Sequence, residues 1–176
     1  MTGELRGLLI LYVGGGKGKT SAALGTLLRA WGHGLRVGVI QFIKGAEWHS
    51  GEALAAARLG IPWRIVGEGF VYDPVRDESA RRSALAGWAL AQEWIASGAY
   101  DLLVLDEFTY LFSFGWLSEA EAVAWICAHR PPALHLVITG HEAPPVLLEA
   151  ADLVTEMCLV KHPYEAGIPA QKGIEF

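Results

Sequence analysis

The chain has 176 residues, 52% of them hydrophobic, and a formal net charge of −5. This length and composition predict a single domain over residues 1–176 with a substantial core, and they exclude a disordered chain. The acidic balance, without a basic stripe, argues against nucleic acid as the main partner, and no apolar run approaches the roughly 18 residues of a membrane span.

Apolar runs alternate with helical segments along the chain. The predicted strands cover residues 8–13, 36–42, 62–66, 102–105, 134–139 and 153–157. The predicted helices cover residues 19–31, 50–59, 77–97, 118–129 and 144–150. Continuous apolar strands separated by helices are typical of a parallel sheet covered on both faces. We therefore predict an α/β fold, a three-layer sandwich around a mainly parallel sheet of about six strands, with ligands at the carboxyl ends of the strands.

A glycine-rich turn follows the first predicted strand. The turn consists of Gly14, Gly15, Gly16, Lys17, Gly18, Lys19 and Thr20, and Ser21 follows it. Glycines let backbone N–H groups converge on an anion, and the start of the next helix adds its positive dipole end. Lys19 would reach phosphate oxygens and the Thr20 hydroxyl would bind Mg²⁺. The pattern indicates a P-loop NTPase (RecA-like) fold that holds the phosphates of a nucleotide, although the loop is one residue short when counted from Gly14.

An acidic pair stands at the end of the fourth predicted strand, where Asp106 and Glu107 follow the apolar run 102–105. Mg²⁺ prefers octahedral oxygen ligands and keeps several waters. One carboxylate, the Thr20 hydroxyl and phosphate oxygens would complete such a site. Either Asp106 or Glu107 could bind the metal directly, with the other holding a water.

Three further segments carry less specific signals. Lys44, after the second strand, would add positive charge near the phosphate or substrate pocket, or else is a solvated loop lysine. Phe70 and Tyr72 lie on a glycine-flanked loop, which suits a lid over a flat apolar ligand, although from the sequence alone packing into the core is favoured. The C-terminal segment 161–176 either lines a site or a subunit contact, or forms a frayed tail.

The cysteine usage and the N-terminus bear on the compartment. Cys127 and Cys158 have no CxxC spacing and are most simply reduced thiols. The N-terminus shows no signal-peptide pattern. We therefore expect a cytoplasmic protein.

Several segments, in order along nearly the whole chain, resemble the ATP:corrinoid adenosyltransferases of the CobA/CobO/BtuR family. They are residues 14–45, GEGF at 67–70, VLDEFTY at 104–110, ITG at 138–140, EAADLVTEM at 149–157 and VKHPYEAGIPAQKGIEF at 160–176. The compact loop, usually written GNGKGKT, is shared by that family.

The resemblance implies an enzyme that transfers the 5′-deoxyadenosyl group of ATP to the Co(I) centre of a corrinoid and releases triphosphate. The corrinoid would be cobalamin or of the cobyrinic acid a,c-diamide type, and the pathway biosynthesis or salvage of adenosylcobalamin. ATP would be the co-substrate, bound the opposite way round from the usual pose, with Mg²⁺ as cofactor. The resemblance also implies a homodimer and a flavoprotein reductase as the electron donor that supplies Co(I).

Carried over by position, residues 14–20 would hold the triphosphate, and Lys19, Thr20 and Glu107 would be the catalytic set. Thr20 and Glu107, or Asp106, would hold Mg²⁺. Because the nucleophile is Co(I) of the substrate, no protein nucleophile is needed. Lys19 and Mg²⁺ would stabilise charge on the departing triphosphate.

The implied corrinoid side comprises Lys44, Phe70 and Tyr72. In the family, aromatic side chains there lie under the corrin ring and exclude the lower axial ligand, which eases the reduction of Co(II). Tyr72 stands where Trp is familiar, and His141 follows ITG where Arg is common.

Two other classes stay open. An ordinary P-loop kinase or ATPase would bind ATP in the usual pose and release ADP. A non-catalytic RecA-like nucleotide-binding module would use ATP to govern association with nucleic acid or protein. That alternative predicts a stripe of basic residues, which the acidic composition does not offer.

Overall fold

The computed structural model describes residues 6–45, 50–67, 69 and 77–175, apart from the side chain of residue 44. Its strands are β1 (Leu9–Val13), β2 (Val37–Gly45), β3 (Trp63–Gly67), β4 (Leu102–Asp106), β5 (His135–Thr139) and β6 (Leu153–Glu156). All neighbouring strands pair in parallel, in the order β3-β2-β4-β5-β1-β6. The predicted parallel sheet of about six strands is confirmed.

The helices connect the strands in the predicted alternation. They are α1 (Lys19–Gly32), α2 (Gly51–Leu59), α3 (Glu78–Ala96), α4 (Tyr110–Ser113), α5 (Glu119–His129) and α6 (Pro145–Ala150). The single turn α4 was not predicted, because four residues are too short to show a helical period. A 3₁₀ turn, Pro163–Ala166, lies in the C-terminal segment.

Side chains satisfy the backbone at three helix starts. Ser50, Asp77 and Ser118 accept hydrogen bonds from the backbone N–H three residues further on. Such caps satisfy a donor that has no partner within the helix. Ser118 and Asp77, which are the first residues of the predicted helices 118–129 and 77–97, each precede their helix as its cap.

Helices cover both faces of the sheet at its central strands, where successive residues point to opposite sides and pack against different helices. Leu9 and Leu11 of β1 pack on the side of α3 and α5. Ile10, between them, packs on the side of α1 and α2. The three-layer sandwich follows from this alternation, and it explains why the strands read as unbroken apolar runs.

The sheet order determines where a site can form. Strands β4, β5 and β1 are adjacent in the sheet, so the turns that follow them meet at one edge. The glycine-rich turn follows β1 and the acidic pair ends β4. Residues far apart in the chain therefore converge at the carboxyl ends of the strands, as in other open parallel sheets.

Two further findings bear on the sequence expectations. Cys127 and Cys158 are both exposed and unpaired. In the part of the chain that the structure describes, no helix has both the length and the apolar character needed to cross a bilayer.

Candidate active site

The glycine-rich turn is held by neighbouring strand ends. Gly14 donates its N–H to the carbonyl of His141 at 2.8 Å, and Gly16 donates to the carbonyl of Met157 at 2.7 Å. Gly14 and Gly18 have φ of 105° and 107°, a left-handed conformation that glycine adopts without steric cost. A Cβ on Gly14 would also lie 2.5 Å from the Met157 carbonyl oxygen. The loop therefore requires glycine for both its conformation and its packing.

The start of α1 is suited to an anion. Gly18 caps the helix without a side-chain hydrogen bond, and the first turn contains no acidic residue. Backbone N–H groups at a helix start, together with the helix dipole, favour negative charge. The start of α1 therefore carries no acidic side chain that would repel an anion, and phosphate binding here stays a prediction.

Lys19 places its ammonium over the loop. Its Nζ donates to the carbonyl oxygens of Gly14 and Gly16 at 2.8 and 2.7 Å. Burial lowers the pKa of Lys19 below its usual value of 10.5, while the carboxylates of Glu107 and Asp106 act in the opposite direction. A partly desolvated cation interacts more strongly with an anion than a fully hydrated one does.

Asp106 is the centre of a buried hydrogen-bond network. Its Oδ1 accepts from the hydroxyls of Thr20 and Thr139 at 2.9 and 2.7 Å. Its Oδ2 accepts from the Gln41 amide at 2.8 Å. Asp106 is fully buried, and the hydrogen-bond donors to both of its oxygens offset the cost of burying these polar atoms.

Sequence reasoning missed Gln41 and Thr139 as members of this site. Gln41 is 2% exposed and Thr139 is 1% exposed, which is unusual for polar side chains. A signal was present, since each is a polar residue near the end of an apolar strand. Their partner could not be identified, because it depends on the order of strands in the sheet.

Glu107 occupies a constrained turn directly after β4. Its φ is 61°, an uncommon conformation for a residue other than glycine, and its N–H donates to Thr139 Oγ1 at 2.8 Å. Burial, with a further contribution from Glu107, raises the pKa of Tyr110. Strained backbone of this kind is concentrated at functional sites.

The donor set fits Mg²⁺. Thr20, Asp106 and Glu107 offer oxygen atoms only, and a hard cation such as Mg²⁺ prefers oxygen. Within the described ranges, no three His, Cys, Asp or Glu side chains form a metal-binding group. Few protein ligands are expected for Mg²⁺, which keeps waters and takes phosphate oxygens.

The other predicted loop residues have different surroundings. Lys17 forms an ion pair with Glu175. A Cβ on Gly15 would lie 3.5 Å from His141 Nε2, so the imidazole faces the loop. Ser21 lies in the first turn of α1 and is exposed.

The structure describes little of the predicted corrinoid-side residues. Phe70 and Tyr72 lie outside the described residues, and of Lys44 only the backbone, in β2, is described. Here β2 runs to Gly45, three residues beyond its predicted end, with a register shift after Gln41.

The end of β2 is strained where it borders the candidate site. Ile43 has φ of 68°, an outlier for a β-branched residue, and its carbonyl accepts from Gly69 at 3.1 Å. Gly45 pairs with Gly67 of β3. Gln41, two residues before Ile43, stands opposite Asp106 of β4. The backbone next to Lys44 and the start of the predicted aromatic loop therefore lie at the same sheet edge as Asp106.

Comparison with known proteins decides the family. The sequence model of the ATP:corrinoid adenosyltransferase BtuR/CobO/CobP family matches residues 5–176. The chain belongs to this adenosyltransferase family. The resemblance stated from the sequence is thereby confirmed.

Similar adenosyltransferases occur in several bacteria. The chain is 44% identical over 173 residues to a corrinoid adenosyltransferase of Pseudomonas aeruginosa, covering 97% of this chain and 84% of that protein. It is 39% identical over 171 residues to one of Escherichia coli K12, covering 97% and 86%. It is 38% identical over 173 residues to corrinoid adenosyltransferase CobA of Salmonella typhimurium, covering 98% and 87%. Membership in the adenosyltransferase family favours that activity over the kinase and the non-catalytic module.

Proposed function

We propose that the protein transfers the 5′-deoxyadenosyl group of ATP to the cobalt of a Co(I) corrinoid, with inorganic triphosphate as the second product. The observation that carries the proposal is a short phosphate loop that faces the buried carboxylate of Asp106, in a chain that matches the adenosyltransferase family from residue 5 to residue 176. Residues 1–176 would act as one catalytic domain.

The transfer of the adenosyl group to cobalt needs no nucleophile from the protein. The cobalt of the corrinoid substrate contributes the electron pair that forms the bond to C5′ of ATP. The C5′–O bond breaks, and its electron pair leaves with the triphosphate. The protein then has to align the two substrates and stabilise the charge of the leaving group.

Residues 14–20 would hold the triphosphate, with Lys19 as its main cation. Asp106 already accepts three hydrogen bonds, including one from Thr20, which supports an orienting role. Thr20 and Glu107 would then hold Mg²⁺. When bound, Mg²⁺ supplies positive charge to the departing triphosphate.

We assign Lys44, Phe70 and Tyr72 to the corrinoid side. The position of Gly69 and of the end of β2, at the same sheet edge as Asp106, supports this assignment. Aromatic rings under the corrin would exclude a lower axial donor and so ease reduction of Co(II). The proposal also includes a homodimer, a cytoplasmic location and a flavoprotein reductase as electron donor.

Anaerobic incubation with ATP, Mg²⁺ and chemically reduced Co(I) cobalamin tests the activity. The corrinoid spectrum and the phosphate product are followed together. We expect a light-sensitive adenosylated corrinoid and stoichiometric triphosphate. An unchanged corrinoid, with ADP and phosphate as products, would assign the protein to the kinases or ATPases.

A further inference from the structure

The chain that follows β6 packs directly on the phosphate loop. Besides accepting the Gly16 N–H, Met157 places its Sδ 3.3 Å from the position of a Cβ on Gly18. A Cβ on Gly16 would lie 2.7 Å from the backbone carbonyl of Cys158. The loop therefore rests against residues 157–158, which lead into the C-terminal segment.

The C-terminal segment returns to the same loop at its end. The Glu175 carboxylate forms an ion pair with the ammonium of Lys17, 158 residues away in the chain. The N–H groups of Ile174 and Glu175 both donate to the Gln171 carbonyl, which closes a turn at this point. The Glu175 side chain is 15% exposed, whereas Ile174 is 82% exposed. A carboxylate more buried than its apolar neighbour indicates a specific contact.

The two lysines of the loop have different partners. Lys19 donates to carbonyl oxygens of the loop itself. Lys17 pairs with Glu175, and its own side chain remains 56% exposed. The charge of Lys17 is therefore offset by a carboxylate from the far end of the chain.

We propose that Glu175 is a positioning residue for triphosphate binding, and that it acts through Lys17. Glu175 holds the Lys17 ammonium in an ion pair, so that Lys17 contributes less charge to a triphosphate in the loop. This inference rests on the proposed phosphate role of residues 14–20. Its consequence is a loop that binds ATP but releases the triphosphate product more readily than a loop with two uncommitted lysines.

The Lys17–Glu175 ion pair is weak enough for Glu175 to adjust the affinity of the loop for triphosphate without blocking binding. An ion pair in contact with water is weak, and a multiply charged phosphate forms shorter and stronger charge-assisted hydrogen bonds. A triphosphate can therefore compete with Glu175 for Lys17. Removal of one negative charge beside a bound triphosphate should change the affinity for triphosphate by about three- to tenfold at about 0.1 M salt. The change should be much smaller near 1 M salt, where charges are screened beyond about 3 Å.

Calorimetric titration of the full chain with inorganic triphosphate and Mg²⁺ tests the role of Glu175. We expect Glu175→Gln to bind triphosphate about three- to tenfold more tightly at about 0.1 M salt, with a smaller difference near 1 M. Glu165→Gln, which changes an exposed carboxylate of the same segment, is the matched control and should bind like the wild type. Unchanged or weaker binding by Glu175→Gln would overturn the proposal, as would an equal gain in the control.

Two further variants separate this inference from the proposed function. In a Lys17→Gln background the gain from Glu175→Gln should be largely lost, and an undiminished gain would overturn the role of Lys17. Lys19→Ala should abolish triphosphate binding, and retained binding would contradict the phosphate loop itself. Loss of binding in Lys19→Ala, together with no gain in Glu175→Gln, would overturn only the inference about Glu175.

Discussion

The Gln41 carboxamide donates a 2.8 Å hydrogen bond to the Asp106 carboxylate, directly across the register of β2 and β4. Both side chains are buried. A buried carboxylate costs free energy unless hydrogen-bond donors surround it, so Gln41 stabilises the charge of Asp106. Because Asp106 also accepts from Thr20, this pair connects the end of β2 to the helix that follows the phosphate loop.

Replacement of Gln41 by Leu should lower the free energy of unfolding by about 1.5–3 kcal/mol, because it removes a buried hydrogen bond to a charged group. Urea unfolding at neutral pH, followed by circular dichroism, measures the change. Gln171→Leu, in the exposed C-terminal segment, is the control and should shift the free energy by less than about 0.5 kcal/mol. Equal effects in the two variants would contradict the stabilising role of Gln41.

Gly140 is packed too closely for any side chain. A Cβ there would lie 1.7 Å from Thr109 Oγ1 and 2.7 Å from Thr109 Cβ. Gly140→Ala should lower the free energy of unfolding by about 1–3 kcal/mol or more. Gly25→Ala, in α1 with no atom within 4 Å of the added Cβ, should instead raise it by about 0.5–1 kcal/mol. Thermal unfolding of both variants should show opposite signs, and a Gly140→Ala protein as stable as wild type would refute the clash.

Lys19→Ala should reduce adenosyl transfer at least about a hundredfold, which is the usual loss when a group that stabilises transition-state charge is removed. Single-turnover assays with Co(I) cobalamin and saturating ATP measure the chemical step. Lys172→Ala, at an exposed position of the C-terminal segment, serves as the control and should transfer at the wild-type rate. Near-normal transfer by Lys19→Ala would remove Lys19 from the catalytic set.

Phe70→Ala should impair the reaction strongly when Co(II) has to be reduced on the enzyme, and much less when Co(I) is supplied chemically. The physical reason is the proposed exclusion of an axial donor, which matters for the reduction and not for the attack on C5′. Parallel assays that start from Co(II) with a reductant and from Co(I) measure the two losses. Equal losses in both assays would argue for a general packing role.

The Asp101–Arg36 pair should make stability depend on pH in the acid range. The Arg36 guanidinium and its backbone N–H lower the pKa of Asp101 to about 2, from 3.8. Since the folded-state pKa is depressed, the stabilisation is complete above about pH 4 and is lost as the pH falls towards 2. Because the pair is substantially exposed, we expect about 1 kcal/mol or less.

Asp101→Asn measures this contribution. The difference from wild type in the free energy of unfolding should be largest near pH 6 and should disappear near pH 2. Glu149→Gln, an exposed carboxylate on α6, should show no such trend. A difference between Asp101→Asn and wild type that persists at pH 2 would mean that Asp101 stabilises the fold by something other than its charge.

The elements were predictable because their signals are local. Unbroken apolar runs predicted all six strands, and the predicted helix 118–129 differs from α5 by one residue at its start. The turn α4 was missed because four residues are too short to show a helical period, and the extension of β2 was missed because it depends on contacts with distant residues. Ile43, with its positive φ, is held by contact with the segment after β3, and nothing in the neighbouring sequence requires that conformation.

The candidate site was predictable in part. The glycine-rich turn and the acidic pair could be predicted as site residues because each carries its motif within a few consecutive residues. The sequence left open whether Asp106 or Glu107 binds Mg²⁺ directly, and that choice stays a prediction. The structure adds that Asp106 accepts three hydrogen bonds, one of them from Thr20. The aromatic loop stays a prediction.

The sequence by itself determined the alternation of strands and helices, the glycine-rich turn and the family, because periodicity and short motifs are properties of neighbouring residues. Only the tertiary structure decided which distant residues meet. Gln41 and Asp106 are separated by 65 residues, Thr139 and Asp106 by 33, and Lys17 and Glu175 by 158. Those contacts depend on the strand order and on the path of the C-terminal segment, which the packing of the whole chain determines.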